Sequence, residues 1–438
     1  MKSITILDYT ETLEWNIDRQ VLTTDDFWIV ADTGNLPEFA LNTREHLRVN
    51  DCEYNVTKFA DIDKSKPWFI FTAIKFPFTL NYLDKKQWAA KDLFSHFPPE
   101  ILHELVHGNA YLILSFEQEA NTISFLELFY GLYNNNPLVA PRKLIHITAS
   151  YNIHSIYDDY CSEHGIQEKI NIWFSVHSLL GPIGFHVKNG YFNLTPQPKT
   201  KKYINFNRMP KSHRVSFTSL LAEYDLLDSG YVSLGVPEQF ESGDNLLQYV
   251  NDTLPRIYNW NVDGECYQRV RSGASKLVTK LPLTIDTDDF VYGPAFGYSG
   301  KLTEFYDKSY FSIVSNTYCL LQDEITITLN EKEYKTMLYK QPFLLVARPG
   351  TLAMLQDLGF QTFSEWFDES YDSERDDQAR LMKLIREVDR LCKLDNTEWD
   401  KMIAEMQPVL EHNYSRLVDS VGDIIFQTDF KEILNYAE

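Results

Sequence analysis

The sequence predicts an α/β protein built from two Rossmann-like domains and a C-terminal helical segment. Strand-like and helix-like stretches alternate from Pro98 onward, a pattern typical of a parallel sheet covered by helices. A polar, proline-containing segment at residues 193–202 has the composition of a linker. Charge-rich runs after Asp372 favour surface helices. The predicted divisions are residues 1–195, 196–373 and 374–438.

The first domain opens with short aromatic-rich runs whose strand order is not readable, and it becomes regular near Pro98. Apolar runs and helix-favouring runs then alternate, as expected when each strand of a sheet is followed by a helix. The predicted elements are strands at 111–116, 144–148 and 170–174, with helices near 121–133 and 153–161.

The most regular part of the second domain is the stretch from Ile325 to Asp372, which predicts the order β-α-β-α-β. Its first strand would be 325–329, where isoleucine and leucine alternate with threonine. Asn330 then stands where a helix N-cap belongs. The later elements are a strand at 343–347, a helix at 351–358 ended by Gly359, and an extended run at 361–363.

Positive charge falls where such a unit would bind a ligand. Ligands of open parallel sheets lie beyond the carboxyl ends of the strands, where helix N-termini offer free N–H groups. Lys332 and Lys335 follow one predicted helix start, and Arg348 follows a predicted strand. A diphosphate would suit this place. The chain has neither the phosphate loop of ATPases nor a dinucleotide fingerprint here.

Two blocks of the sequence resemble a known family. The first block is NEKEYK at 330–335, QPF at 341–343 and PGTL at 349–352. The second block is NRMPKSHR at 207–214 and LLDSG at 226–230. The first block resembles the donor-binding region of GT-B glycosyltransferases related to the fucosyltransferases, and it is closer still to that of uncharacterised glycosyltransferase-like proteins of bacteriophages. The second block is similar to another block of that group. A threonine usually precedes the Glu-Lys pair in that group, and Asn330 departs from this pattern.

The resemblance implies two GT-B domains and a metal-independent hexosyl- or pentosyltransferase that needs no cofactor. Its second domain would hold a nucleoside-diphosphate sugar. Its first domain would hold the acceptor hydroxyl, on a glycan or, in a phage-encoded protein, on a modified DNA base. The residues expected at the donor are Arg208, Arg214, Glu331, Lys332, Tyr334, Lys335 and Arg348.

These residues have different expected roles. Arg208 and Arg214 would contact phosphate, because a guanidinium forms paired hydrogen bonds with it. Glu331 would bind ribose or sugar hydroxyls, whereas Tyr334 either stacks on the base or packs in the core. Arg214 and Lys332 are expected to contact the ligand without contributing much to the core.

Three residues are candidates for the base that activates the acceptor. Glu119 and Glu117 follow the predicted strand 111–116 directly, so a carboxylate there would point into the inter-domain cleft. His154 stands just beyond the strand 144–148 and is the competing candidate. Glu119 is preferred.

A zinc peptidase is one alternative, because His103, Glu104 and His107 form a His-Glu-x-x-His pattern on a predicted helix. The sequence marks no third ligand, so no bound metal is expected. A second alternative is a non-catalytic protein of the same fold that binds a nucleotide or a sugar. Turnover of a nucleotide sugar would separate that alternative from an enzyme.

Composition limits the remaining possibilities. The 438 residues carry a formal net charge of −21, which argues against unspecific attachment to nucleic acid or anionic membrane. The five cysteines never stand in a Cys-x-x-Cys spacing, which favours a reducing compartment, with the cytoplasm as the default. No signal peptide or membrane-spanning run is expected. The oligomeric state is not readable.

Overall fold

The computed structural model describes ten segments and three single positions of the chain. The described residues are 2–8, 52–58, 61–73, 94, 97, 99–116, 122–174, 197–207, 210–235, 243–283, 285, 303–321 and 326–419. Contacts divide the chain into two compact units, residues 1–181 with 420–438 and residues 182–419. The predicted α/β class with parallel sheets is confirmed, whereas the predicted domain boundaries stay predictions.

The first unit contains a parallel sheet with the strand order β2-β1-β3-β4-β5-β6. Its strands are β1 (Lys2–Asp8), β2 (Cys52–Lys58), β3 (Trp68–Ala73), β4 (Ala110–Phe116), β5 (Leu144–Thr148) and β6 (Asn171–Phe174). The described helices are α1 (Pro99–His107), α2 (Thr122–Tyr133) and α3 (Ile153–His164). Every residue of β5 is buried, as expected of a strand with helices on both faces of its sheet.

The second unit contains a parallel sheet with the order β10-β9-β7-β8. Its strands are β7 (Lys201–Asn207), β8 (Gly230–Leu234), β9 (Ser309–Ser315) and β10 (Phe343–Val346). The helices before β9 are α4 (Ser212–Glu223), α5 (Gly243–Gln248), a π-helical turn (Tyr249–Thr253), α6 (Leu254–Tyr258), α7 (Glu265–Val278) and α8 (Thr303–Asp307). Those after it are α9 (Glu331–Leu338), α10 (Thr351–Asp357), α11 (Asp377–Lys393) and α12 (Asn396–Asp419).

The strand predicted at 325–329 is wrong for the described residues 326–329, which belong to no strand. Side chains rather than a neighbouring strand bind this stretch. The carbonyl of Thr328 accepts from Asn316 Nδ2 at 2.9 Å, and the N–H of Asn330 donates to Glu333 Oε2 at 2.8 Å. The strand next to β10 is β9, whose residues 312–315 pair with 343–346.

Helix α4 is buried along its length although its sequence is rich in small polar residues. Helix α7 crosses it so closely that a Cβ on Gly273 would lie 1.8 Å from the carbonyl oxygen of Ser219. The hydroxyls of Ser216 and Ser219 donate to carbonyls one turn back, at Ser212 and Val215. These two buried hydroxyls are thereby hydrogen-bonded, and only glycine fits at position 273, where the two helices are closest.

The two long C-terminal helices belong to the second unit as far as Asp419. Helix α11 packs on α4, α7 and β10, and α12 packs on α9. A helix able to cross a membrane, judged by length and apolarity, is not found in the described part of the chain.

Candidate ligand-binding site

The strand order of the second sheet marks one place where a ligand can bind. The chain leaves β7 through α4 toward β8, and it leaves β9 through α9 toward β10, in the opposite direction along the sheet. Because parallel crossovers are right-handed, α4 and α9 lie on opposite faces. The order therefore reverses between β7 and β9. A crevice outside the carboxyl ends of these strands is where open α/β sheets bind ligands.

Asn316, directly after β9, connects the elements around this crevice. Its side-chain Nδ2 donates to the carbonyl of Thr328 at 2.9 Å and to Glu333 Oε1 at 2.7 Å. Its Oδ1 accepts from the N–H groups of Thr317 and Tyr318. The residue is 1% exposed. One buried amide thus fixes the turn after β9 and holds the carboxylate of Glu333.

The N-terminus of α9 is closed by a reciprocal cap. Asn330 Oδ1 accepts from the N–H of Lys332 at 2.9 Å, and Glu333 Oε2 accepts from the N–H of Asn330 at 2.8 Å. Since Oδ1 must face an N–H, Nδ2 is the remaining donor of the Asn330 amide. This nitrogen has no acceptor among the described residues, and Asn330 is only 6% exposed.

The N-terminus of α4 faces the same turn after β9. Its N-cap residue is Lys211, which makes no side-chain cap, so the first-turn N–H groups keep their partial positive charge. The Lys211 ammonium instead donates to the carbonyl of Thr317 at 3.3 Å and lies 5.2 Å from the ring centroid of Tyr318. Lysine cannot cap a helix start, because it is a donor only.

His213 and Arg214, in the first turn of α4, bind the main chain at the end of β9. His213 Nε2 donates to the carbonyl of Asn316 at 2.9 Å, and Arg214 donates to the carbonyls of Ser315 and Asn316 at 3.3 and 3.0 Å. Burial, and after it the charges of Arg214 and Lys211, hold the pKa of His213 well below its ordinary value. His213 is therefore neutral and carries its proton on Nε2.

Two further arginines bind the segment that follows, residues 316–321, named here the β9 exit segment. Arg348 donates to the carbonyl of Leu320 at 3.1 Å, and Arg380 donates to that of Cys319 at 2.6 Å. Asp377 accepts from the N–H of Leu321 at 2.9 Å. Four basic side chains thus converge on one turn, from α4 and its N-cap, from α11 and from the residues after β10. One of them, Arg380, is also ion-paired with Asp377. The turn gathers basic groups in a chain whose net charge is −21.

A group of three hydroxyls also stands at the start of α4. Ser212 Oγ lies 2.7 Å from the hydroxyl of Tyr258 and forms a second hydrogen bond with that of Tyr249. Tyr249 begins the π-helical turn, a feature that is frequent at functional sites. The start of α4 therefore presents hydroxyl groups as well as main-chain N–H groups.

The predicted donor-binding residues of α9 lie at this site. Lys332 and Lys335 are half-buried, and Lys332 Nζ is 3.5 Å from Asn330 Oδ1. Glu331 is the first residue of α9, and its side chain lies outside the described residues. Tyr334 is 1% exposed, which favours packing in the core over stacking on a base. Their roles in donor binding stay predictions.

The structure corrects the expectation that Arg214 contributes little to the core. Arg214 is 3% exposed, and its guanidinium holds the end of β9. Arg348 is likewise buried on the β9 exit segment. Both arginines shape the turn between β9 and α9, and direct phosphate contact by either stays a prediction. Arg208 lies outside the described residues.

The candidate bases belong to the first unit. Glu117 and Glu119 lie outside the described residues, so their placement is not described. His154 is exposed on the first turn of α3 and lies near Asp158. Which of the three acts as a base stays a prediction.

The His-Glu-x-x-His pattern lies on α1, with the rings of His103 and His107 5.0 Å apart between centroids. Among the residues described, no three histidines, cysteines or carboxylates form a group that could hold a metal ion. Glu104 Oε1 lies 4.0 Å from Lys64 Nζ. The expectation that the protein needs no metal stays a prediction.

Several residues of the site were missed from the sequence. Asn316 stands directly after a strand, and a polar residue in that place is a usable signal for a carboxyl-end site. Asn207 and Lys211 belong to the matched block 207–214, but the resemblance assigns a role to neither. Arg380 carries no local signal, because its partner Cys319 is 61 residues away in the chain.

No family model matches the chain, and no curated protein matches it. Among solved structures, the chain is similar to an α,α-trehalose-phosphate synthase (UDP-forming) from Burkholderia vietnamiensis, with a TM-score of 0.36 and 11% sequence identity. The match covers 91% of this chain and 76% of that one. A likeness at this level does not establish what this protein does.

Replacement of Arg214 tests its structural role. We expect Arg214→Ala to lower the free energy of unfolding by about 2–3 kcal/mol, because it leaves buried carbonyls without their charged donor. Arg271→Ala is the matched control, since Arg271 is an exposed arginine on α7 of the same unit. That control should stay within about 0.5 kcal/mol of wild type. Urea unfolding measures both, and equal values for the two variants would show that Arg214 is not structural.

Proposed function

We propose that the protein is a glycosyltransferase whose second unit binds a nucleoside-diphosphate sugar at the crevice between β7 and β9. The main support for this proposal is that helices α4 and α9 both begin at the point where the strand order reverses. N–H groups and the helix dipole at such ends favour bound phosphate. The reaction is inferred from the resemblance to glycosyltransferases of the two sequence blocks that contain these helix starts.

Within this proposal, Asn330 and Lys332 contact the diphosphate. Asn330 Nδ2 is a buried donor without an acceptor among the described residues, so an oxygen of the ligand would complete its hydrogen bonding. Lys332, the second residue of α9, adds a full positive charge in the first turn. Lys335 adds another positive charge on the same helix. Glu331 would bind sugar or ribose hydroxyls, and Arg208 would contact phosphate from the β7 side.

The buried arginines act indirectly in this proposal. Arg214, Arg348 and Arg380 hold the β9 exit segment through its carbonyls. Arg214 and Arg348 would in addition place positive charge beside the leaving diphosphate, whereas Arg380 is ion-paired with Asp377. Charge that is already in position stabilises a leaving group without reorganisation during the reaction. The chain's own residues would therefore perform the task for which other glycosyltransferases use a metal ion.

The first unit would supply the acceptor side. The acceptor is the hydroxyl of a glycan or of a modified DNA base, and the latter follows from the resemblance to bacteriophage proteins. Glu119 is the preferred base, with Glu117 and His154 as the competing residues. The proposed location of the reaction is the cytoplasm.

The base assignment is tested by turnover. With an identified donor and acceptor, Glu119→Gln should lower the rate about 10²–10⁴-fold, which is the usual effect of losing a general base. Donor affinity should be unchanged, because the donor binds the second unit. Near-normal turnover by Glu119→Gln would indicate that Glu117 or His154 is the base. Each of these residues would then be replaced and assayed in the same way. Binding of a nucleotide sugar without turnover to any acceptor would instead indicate a non-catalytic binding protein.

The diphosphate site is tested by Asn330→Asp. Aspartate is as good an N-cap as asparagine, so α9 should still form, and the apo melting temperature is measured beside the affinity to separate a loss of folding from a loss of binding. The substitution replaces a donor with a negative charge, however, and should weaken nucleoside-diphosphate binding at least about tenfold. UDP and GDP are the probes, in calorimetric titrations.

Lys332→Ala should weaken the binding free energy of the same ligands by about 1.5–3 kcal/mol, the range for a charged hydrogen bond.

Asn396→Asp is the matched control for the added charge. Asn396 is exposed at the start of α12, where its Oδ1 accepts from Lys202 Nζ at 2.9 Å, near the amino-terminal end of β7. This variant should bind UDP or GDP as wild type does. If the two aspartate variants lose affinity equally, or if neither loses it, the diphosphate does not bind at α9.

A further inference from the structure

Two asparagines on β7 form a buried polar column that leads to the same crevice. Asn205 and Asn207 stand two residues apart and so share one face of the strand, and both are 0% exposed. Central strands of parallel sheets are usually apolar, because both faces are covered. Buried amides destabilise the fold unless their donors and acceptors are bonded. Each hydrogen bond of this column therefore has to be accounted for.

The hydrogen bonds fix the direction in which both amides point. Asn205 Nδ2 donates to the carbonyl of Ile313 at 2.8 Å, and a carbonyl can only accept, so Asn205 Oδ1 must face Asn207. Asn207 Nδ2 donates to that Oδ1 at 2.7 Å. The remaining atom, Asn207 Oδ1, is therefore an acceptor. Rotating either amide by half a turn would place two donors or two acceptors against each other.

Asn207 Oδ1 has no donor among the described residues, and it is the last side-chain oxygen of the column at the carboxyl end of β7. Its main-chain N–H already donates to Ser233 Oγ at 3.2 Å. A buried acceptor without a donor destabilises the fold. Phosphate oxygens of a diphosphate cannot satisfy it, because they are acceptors themselves. A hydroxyl or an N–H group can.

We infer that Asn207 is a specificity-determining residue that accepts a hydrogen bond from a hydroxyl or N–H group of the bound nucleotide or its sugar. The inference rests on the proposed function, and it places a hydrogen-bond donor and a hydrogen-bond acceptor on different sides of the site. Asn330 Nδ2, at α9, offers a donor to the charged diphosphate, whereas Asn207 Oδ1, at β7, offers an acceptor to a neutral part of the ligand. The ligand is thereby oriented, and bare diphosphate satisfies only one of the two amides.

The test compares Asn207→Ala with Ser233→Ala in calorimetric titrations of UDP, GDP, UDP-glucose, GDP-mannose and inorganic pyrophosphate. Ser233 is the matched control because it is buried on β8 and bonds the main chain of Asn207 without touching Oδ1. Asn207→Ala should weaken the nucleotide ligand that wild type binds best by about tenfold. Ser233→Ala should not, and the affinity of either variant for pyrophosphate should match that of wild type.

The ligands separate the two sources of the donor. A loss of affinity for the nucleoside diphosphate and its sugar alike places the donor on the nucleoside, and a loss for the nucleotide sugar alone places it on the sugar. Unchanged nucleotide affinity in Asn207→Ala would overturn the inference and leave only a trapped water at Oδ1. Equal weakening by Asn207→Ala and Ser233→Ala would overturn it as well. If wild type binds none of the probes, the proposed function fails and the inference fails with it.

Discussion

The geometry of the second unit depends on the hydrogen bonds of Asn316. Through its side chain it holds Glu333, which in turn closes the N-terminus of α9. Through its carbonyl it accepts His213 and Arg214 from the first turn of α4. An amide suits this position because donors and acceptors are both required; a carboxylate would repel Glu333 and could not donate to it. One residue therefore sets the distance between the two helix starts that flank the crevice.

The residues around the crevice are polar and buried, and such groups destabilise the fold unless they are hydrogen-bonded. The basic side chains around the β9 exit segment donate to main-chain carbonyls, and the hydroxyls of Ser216 and Ser219 donate within α4. Asn207 Oδ1 and Asn330 Nδ2 are among the buried polar atoms that lack a partner in the described part of the chain, and they stand on elements that flank the crevice. Buried groups of this kind are what a preformed binding site would leave for its ligand.

Local features of the second unit could be predicted from the sequence. Asn330 as an N-cap and Gly359 as the end of α10 follow from side-chain chemistry and from the left-handed backbone, φ +85°, that glycine adopts readily. The strand at 326–329 could not be excluded, since its alternation of apolar and polar residues is that of a strand. The carbonyl of Thr328 instead accepts from the side chain of Asn316, and no periodic pattern indicates that contact. Burial of Arg214 was missed for the same reason, because long-range contacts decide it.

The proposed diphosphate site lies where α4 and α9 begin. A crystal structure of the protein with UDP or GDP, whichever raises the melting temperature more, is the most direct test of this site. Diphosphate oxygens should lie within hydrogen-bonding distance of Asn330 Nδ2 and of main-chain N–H groups in the first turn of α4. A diphosphate bound to the first unit, or at the amino-terminal ends of β7 and β9, would contradict this placement.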